Sequence, residues 1–145
     1  MKKVLVFGTF DGVHEGHRAL FKQARQHGDY LIAVVAQDHI VERLKGRLPK
    51  NDLPERIDAL RREKLVDEVI LGDAELSTYD VVLRHKPDII ALGYDQKELK
   101  KDLEKYFKEL NGKPRPRVVV MKPHQPEKYH SSLLEPISKI PPPAI

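Results

Sequence analysis

Short apolar runs alternate with longer amphipathic segments along most of the chain. The runs lie at residues 4–7, 30–36, 69–71, 88–92 and 117–121, and each is expected to form a β-strand. Helical spacing, with Asp38 as a cap and Pro54 near a first turn, predicts helices over 17–24, 38–44, 54–60, 79–85 and 97–110. The run at 30–36 is apolar at nearly every position, which is typical of a parallel strand covered on both faces. The alternation therefore predicts an α/β fold, a doubly wound, five-stranded parallel sheet.

Length and composition predict a single small domain. The chain has 145 residues, 40% of them hydrophobic, and we expect one domain over 1–140 followed by a proline-rich end at 141–145. The absence of cysteine excludes disulfides, thiolate metal sites and thiol nucleophiles. Because Met1 leads almost directly into the first strand and no apolar run reaches membrane-spanning length, we expect a cytoplasmic protein without a signal peptide.

The charge balance is mildly basic. Lys and Arg total 26 against 22 Asp and Glu, a formal net charge of +4. This excess suits anionic substrates, although an ordinary solvated surface also reaches it. Nucleic acid is a poor candidate partner, because basic and acidic residues are interleaved and aromatic residues make up only 6% of the chain.

The connection between the first strand and the first helix carries the strongest functional signal. Residues 8–17 read Gly-Thr-Phe-Asp-Gly-Val-His-Glu-Gly-His. Gly8, Gly12 and Gly16 are expected to allow unusual backbone conformations and a close approach of ligand to main chain. His14 and His17, three positions apart, can face one side and donate hydrogen bonds to phosphate oxygens. A zinc half-site or two merely exposed histidines are the alternatives, but no convincing third zinc ligand is present. The pattern favours a phosphate-binding turn at a helix N-terminus.

This segment also carries a family resemblance. Gly8-Thr9-Phe10-Asp11 followed by His14-Glu15-Gly16-His17 resembles the signature of the cytidylyltransferase-like nucleotidyltransferases, which have a Rossmann-like fold. Further matches follow in order at 28–36, 45–47, 55–56, 66–69 and 92–96. The Leu-Gly-Tyr-Asp-Gln and Lys-Gly-Arg segments look most like the archaeal-type FAD synthases, which are FMN adenylyltransferases. Glycerol-3-phosphate cytidylyltransferases are similar throughout but less close at those two places.

The resemblance implies transfer of a nucleoside monophosphate from a nucleoside triphosphate to a phosphate-bearing acceptor, with release of pyrophosphate. The acceptor phosphate attacks the α-phosphorus in line, so the protein must align two anions and stabilise charge without a nucleophile of its own. The side chains implied as catalytic are His14, His17, Lys45 and Arg56. Nucleotide-binding roles are implied for Gly8, Thr9, Phe10, Asp11, Gly16, Gly93, Tyr94, Asp95, Ser131 and Ser132. Lys64 and Lys128 are weaker candidates for binding the acceptor.

Several of these positions have a second interpretation. Lys45 lies in a basic stretch that could simply be solvated surface. Arg56 sits in a first helical turn, where the helix dipole disfavours a cation, and this favours function. Asp11 can orient backbone amides in the turn or approach the acceptor or Mg²⁺, and we favour orientation.

A second group of candidates follows the fourth strand. Gly93, Tyr94 and Asp95 lie across the expected switch point from the first strand, where Asp95 can accept hydrogen bonds from ribose hydroxyls. A simple Asx-turn is the alternative for Asp95, and Tyr94 either stacks on a base or covers the core edge.

The final segment departs from the family pattern. Relatives carry a basic residue and then a Ser/Thr-rich stretch that begins the final helix and binds phosphates. Here Lys128, Ser131 and Ser132 preserve the groups, but Tyr129, His130 and the following prolines are atypical. The segment therefore leaves the acceptor open.

Three functions stay open from sequence. The favoured one is an adenylyltransferase with FMN as acceptor. The others are a cytidylyltransferase for glycerol 3-phosphate or a sugar phosphate, and a nucleotide-binding sensor without turnover. For the transferases we expect Mg²⁺ bridged by substrate phosphates rather than held by protein side chains, a homodimer, and no membrane partner.

Overall fold

The computed structural model describes residues 1–110 and 115–123, and in this part of the chain strands and helices alternate as expected. The strands are β1 (Lys3–Gly8), β2 (Tyr30–Val35), β3 (Glu68–Leu71), β4 (Ile89–Leu92) and β5 (Arg117–Val120). The helices are α1 (Glu15–Arg25), α2 (Asp38–Lys45), α3 (Leu53–Arg61), α4 (Asp80–His85) and α5 (Lys97–Glu109). Each predicted element is found, with its ends shifted by no more than two residues.

The strands form one parallel sheet in the order β3-β2-β1-β4-β5. This confirms the predicted doubly wound architecture. The direction of chain travel across the sheet reverses between β1 and β4, and ligands of such sheets bind at the carboxyl edge beside that reversal. Both turns singled out from the sequence, after β1 and after β4, lie at this place.

Helices cover both faces of the sheet, which explains why its strands are apolar without interruption. Alternate strand residues point to opposite faces. On one face Val4 and Val6 join Phe21 of α1 and Leu60 of α3 in a buried cluster. On the other face the cluster contains Leu5, Phe7, Ile32, Val34, Ile90, Leu92, Tyr79, Val82, Leu99, Leu103 and Phe107. The sheet is thus the rigid support from which the site turns project.

The ends of α2 and α3 follow local chemistry, with one correction to the sequence prediction. Asp52 caps α3 by accepting a hydrogen bond from the Glu55 N–H at 3.0 Å. Asp38 was expected to cap α2 in the same way. Gln37 occupies that position instead, and Asp38 is the first helical residue. The Asp38 carboxylate forms an ion pair with Arg56 instead, at 2.5 Å.

No helix in the described part of the chain is long and apolar enough to cross a membrane. The predicted domain limit at 140 and the proline-rich end at 141–145 lie outside the described residues.

Candidate active site

The turn after β1 is shaped by a buried aromatic ring. Phe10 has a left-handed backbone, with φ at 52°, and only 2% of its side chain is exposed. Its ring packs against Phe21 and His17, with centroid distances of 5.7 and 5.3 Å. A Cβ at Gly8 would lie 2.8 Å from this ring. Gly8 is therefore needed for side-chain packing, which differs from the expectation that it frees the backbone for a ligand.

The two histidines cap the N-terminus of α1 together. The Gly16 N–H donates to His14 Nδ1 at 3.1 Å, and the His14 N–H donates to His17 Nδ1 at 3.2 Å. The rings stack with their centroids 3.9 Å apart. Because both Nδ1 atoms accept hydrogen bonds, each neutral ring carries its proton on Nε2. The pair therefore presents two Nε2–H donors beside the free backbone N–H groups of the helix terminus.

Both histidines are held in the neutral form. Burial, as the largest cause, together with the nearby His14 ring and the charges of Arg18 and Lys45, lowers the pKa of His17 to about 3. Burial also lowers the pKa of His14, with a further contribution from Arg18, and Glu15 opposes it. Near neutral pH the two rings are thus hydrogen-bond donors without charge, and their tautomers are fixed by the backbone.

Gly16 is required by this arrangement. A Cβ at Gly16 would lie 2.9 Å from Cε1 of His14 and 3.1 Å from its Nδ1. Among the three glycines of the turn, a positive φ is found at Gly12, at 94°, where nothing lies near the missing Cβ. The expected backbone freedom therefore applies to Gly12, whereas Gly16 makes room for the His14 ring.

The Arg56 guanidinium is not exposed at the turn after β1. Its side chain is fully buried, and its guanidinium serves four acceptors on separate segments. Nη1 donates to the carbonyls of Thr9 at 2.8 Å and Ala36 at 2.7 Å. Nε donates to Asn51 O at 3.1 Å, and Nη2 pairs with Asp38. Arg56 thus ties the ends of β1 and β2 to α2 and α3, and this geometry supports a positioning role rather than direct phosphate contact.

Asp11 links the turn after β1 to the basic loop. Its carboxylate accepts from the backbone N–H of Lys50 at 2.7 Å, and from the backbone and side-chain N–H groups of Asn51 at 2.9 Å each. These hydrogen bonds outweigh the opposing effect of burial and lower the pKa of Asp11. The amides that Asp11 orients therefore belong to the loop after α2, not to its own turn.

Lys45 is brought to the same edge of the sheet. It is the last residue of α2, and Gly46 then ends the helix with φ at 77°. Burial of the amine lowers the pKa of Lys45 although the charge of Asp11 opposes this, and Lys45 in turn acts on His17. The expected basic group thus stands near the histidines, at the end of a helix rather than inside a loop.

Thr9 places a polar group inside the turn. The residue is 7% exposed, and its hydroxyl has no hydrogen-bond partner among the described residues. A buried hydroxyl without a partner carries a desolvation cost that a ligand can remove.

The turn after β4 lies across the sheet reversal from the turn after β1. Tyr94 is 54% exposed, and Asp95 is exposed beside it. Gly93 and Phe7 are joined through the side-chain amide of Gln96, at 2.9 and 3.0 Å. Gln96 is not among the site residues predicted from sequence.

The remaining candidates are not brought to this edge by the described structure. Lys64 is exposed in the connection that enters β3, and so lies toward the amino ends of the strands. Lys128, Ser131 and Ser132 lie outside the described residues.

No three His, Asp or Glu side chains within 1–110 and 115–123 are grouped so that they could hold a metal ion. A zinc site built on His14 and His17 therefore lacks a third ligand in this part of the chain. The groups that do converge are N–H donors and an amine, which suit phosphate oxygens.

Together, the sheet reversal, the capped α1 terminus and the two neutral histidines define an α/β nucleotide-binding protein of the doubly wound class. The model of the family described as cytidylyltransferase-like matches residues 5–134. The chain belongs to this family and is a nucleotidyltransferase, which confirms the enzyme class expected from sequence.

Individual relatives agree. The chain is 43% identical over 107 residues to an FAD synthase of Thermococcus sibiricus, covering 71% of this chain and 72% of the relative. It is 40% identical over 108 residues to an FAD synthase of Pyrococcus horikoshii, covering 74% and 73%. Among solved structures, a lipopolysaccharide core biosynthesis protein of Thermoplasma volcanium superimposes with a TM-score of 0.77 at 34% identity, over 86% of this chain and 99% of that one.

A more distant likeness concerns the fold alone. A pantoate-β-alanine ligase of Francisella tularensis aligns with a TM-score of 0.63 at 16% identity, over 86% of this chain and 60% of the ligase.

Proposed function

We propose that the protein is an FMN adenylyltransferase that makes FAD from ATP and FMN. An oxygen of the FMN phosphate attacks the α-phosphorus of ATP, the bond from that phosphorus to the bridging oxygen breaks, and pyrophosphate leaves. The observation that carries the reaction type is the pair of Nε2–H donors on His14 and His17 at the α1 terminus. The similarity to two FAD synthases supports the acceptor.

The described residues suit the two demands of this reaction, which are charge stabilisation and alignment. The Nε2–H groups of His14 and His17 and the amine of Lys45 are proposed to bind the α- and β-phosphates. Donors of this kind are most effective when they are fixed before charge develops, since no reorganisation is then needed. Both Nδ1 hydrogen bonds provide that fixation. The buried Thr9 hydroxyl is proposed to bind the triphosphate as well.

The other expected residues are given supporting roles. Arg56 and Asp11 are proposed as positioning residues, because their polar atoms bind carbonyl and N–H groups of neighbouring segments. Gly93, Tyr94 and Asp95 are proposed to contact the nucleoside, with the Asp95 carboxylate accepting from ribose hydroxyls. Ser131, Ser132 and Lys128 remain proposed phosphate and acceptor contacts.

We propose that a divalent cation enters with the nucleotide, and Mg²⁺ is the expected ion. It would take its oxygen ligands mainly from the phosphates, since the Asp11 carboxylate is already occupied by three hydrogen bonds. Such an ion neutralises phosphate charge when bound.

One observation favours a second candidate. The Thermoplasma volcanium protein, similar over nearly its whole length, is named for lipopolysaccharide core biosynthesis. A sugar phosphate is therefore the alternative acceptor, with CTP or ATP as donor.

The test is pyrophosphate release with Mg²⁺ across a matrix of ATP and CTP against FMN, glycerol 3-phosphate and sugar phosphates, with chromatographic identification of FAD. Turnover with ATP and FMN above all other pairs is expected. Turnover confined to a sugar phosphate would replace the proposed acceptor, and nucleotide binding without turnover in any pair would contradict the proposed reaction.

Substitution of His17 tests its assigned role. His17→Ala is expected to lower kcat by about a hundredfold, as for other removed donors to a developing oxyanion. His27→Ala is the matched control, because His27 follows α1 at its opposite end. Wild-type turnover in a folded His17→Ala variant would contradict the role.

A further inference from the structure

The pairing between β1 and β4 ends before it reaches the edge of the sheet that carries the site. The pairing of β1 with β2 extends from Lys3 to Gly8. The pairing of β1 with β4 links Val4 with Ile89 and Leu5 with Ile90. Beyond these pairs the ladder between β1 and β4 ends, although β1 continues to Gly8 and β4 to Leu92. We call the space between these two strand ends the crevice; it lies at the sheet reversal, where nucleotides of such folds bind.

The side chain of Gln96 spans this crevice. Its Oε1 accepts a hydrogen bond from the Gly93 N–H at 2.9 Å, and its Nε2 donates to the Phe7 carbonyl at 3.0 Å. Its own backbone is fixed as well, because the Gln96 N–H donates to Gly93 O and the Gln96 carbonyl accepts from the N–H of Lys100, each at 3.1 Å. The amide therefore replaces the missing ladder between the strand ends.

We propose that Gln96 is a positioning residue of the transferase, and that its amide sets the width of the crevice between β1 and β4. Phe7 immediately precedes the turn that carries Thr9 and the histidines, whereas Gly93 begins the turn that carries Asp95. Gln96 thereby fixes the spacing between the phosphate-binding and nucleoside-binding turns. This inference rests on the proposed function in so far as the nucleotide occupies that crevice.

The side chain at position 96 must end in both a hydrogen-bond acceptor and a donor, because its partners are the Gly93 N–H and the Phe7 carbonyl. A carboxylate can accept from Gly93 but brings an unprotonated oxygen against the Phe7 carbonyl. A protonated carboxyl group restores both hydrogen bonds. Gln96→Glu is therefore expected to regain function as the pH falls, whereas Gln96→Met has similar reach and forms neither bond at any pH.

The experiment measures kcat/KM for the nucleotide and the dissociation constant of ATP for each variant, relative to wild type, from pH 8 to pH 5. At pH 8 both variants are expected to lose about tenfold in kcat/KM and to bind ATP more weakly. Gln96→Met loses both hydrogen bonds, whereas Gln96→Glu loses the one to Phe7 and places a charged oxygen against that carbonyl. For Gln96→Glu both ratios should rise as the pH falls from 8 to 5, because the Phe7 carbonyl favours the protonated carboxyl and so raises its pKa above the ordinary value of about 4.3. The titratable or charged groups already at this edge are His14, His17, Lys45, Asp95, Lys97 and Lys100. They are present in wild type and in both variants, so the Gln96→Met ratio records their own titration, and the rise that Gln96→Glu shows beyond it belongs to the new carboxyl and its coupling to Asp95.

Gln23 provides a matched control. Its amide makes the same pair of hydrogen bonds, donating to Lys122 O and accepting from the Lys122 N–H at 2.9 Å each, away from the β1–β4 crevice. Gln23→Glu is expected to give ratios that do not change with pH. A merely structural role of Gln96 would lower the unfolding midpoint without an acid recovery of kcat/KM.

Wild-type kcat/KM and ATP affinity in Gln96→Met, or pH-independent ratios in Gln96→Glu, would overturn the assignment. The ATP measurement separates this result from failure of the proposed acceptor. If FMN is not turned over but the ATP ratio of Gln96→Glu recovers in acid, Gln96 keeps its role and the acceptor is wrong.

Discussion

Arg56 Nη1 donates a hydrogen bond to the backbone carbonyl of Thr9 at 2.8 Å, so a fully buried cation on α3 is tied directly to the turn that carries the two histidines. A charge in such a position is stable only when its hydrogen bonds and its counterion are supplied. The same guanidinium holds Ala36, at the end of β2, and Asp38. The shape of the proposed phosphate-binding edge therefore depends on a residue that is bonded to the turn from behind and is not exposed at that edge.

Arg56→Lys is expected to lower both the free energy of unfolding and turnover. Lysine keeps the charge, but its single nitrogen cannot reach acceptors that a planar guanidinium serves from three nitrogens. We expect a loss of about 3 kcal/mol in denaturant-induced unfolding, as for other disrupted buried pairs. Arg25→Lys is the control, because the Arg25–Asp67 pair is partly exposed and should cost about 1 kcal/mol or less. An Arg56→Lys variant as stable as the control would show that the network contributes little.

The sheet could be predicted from sequence because its physical cause is local. Strands covered on both faces must be apolar at successive positions, and segments such as 30–36 are recognisable by that property alone. The turn after β1 was also accessible, since His14, Gly16 and His17 are close neighbours in sequence. Their reciprocal capping was not predicted, because it depends on which ring nitrogen meets which N–H.

The contacts between distant segments could not be predicted in this way. Arg56 and Thr9 are separated by 47 positions, and their meeting depends on the strand order. A cation in a first helical turn was interpreted as evidence of direct function, but burial against carbonyls and Asp38 compensates for the unfavourable dipole. The hydrogen bonds from Lys50 to Asp11 and from Gln96 to Phe7 likewise join residues that are distant in sequence, and they too depend on the strand order. A glutamine after a glycine-containing turn offers no signal until the separation of β1 and β4 is seen.

The pH dependence of stability should carry a contribution from His17. Its pKa is about 3 in the folded protein against an ordinary value of 6.5, so between these values the unfolded chain binds a proton that the folded chain does not. Stability should therefore fall as the pH is lowered from 6.5 toward 3, by at most about 1.4 kcal/mol per pH unit from this group. Denaturant unfolding between pH 7.5 and pH 4.5 measures the slope.

His17→Gln should reduce that slope, because glutamine does not titrate. The same substitution at His27, outside the turn, is the control for replacing a histidine side chain by glutamine. Equal slopes in His17→Gln and wild type would contradict the view that His17 is kept neutral by burial. The Asp11 carboxyl, whose pKa is lowered, contributes only at still lower pH, so the window above pH 4.5 separates the two groups.

Gly16→Ala should separate stability from activity. Alanine is the better helix former by about 1 kcal/mol, and Gly16 is the second residue of α1, so this gain offsets the loss of the His14 cap, which is worth about the same. The new Cβ would nevertheless lie 2.9 Å from the His14 ring, which must rotate away and lose its hydrogen bond from the Gly16 N–H. We expect kcat to fall by about tenfold or more, with an unfolding midpoint close to that of the wild type.

Gly12→Ala is the matched control. Its new Cβ meets nothing, so the two histidines should stay in place, but the φ of 94° is strained for alanine and stability should fall by about 1 kcal/mol. Parallel measurements of kcat and thermal unfolding distinguish the variants, and full activity in Gly16→Ala would mean that the orientation of the His14 ring does not matter for catalysis.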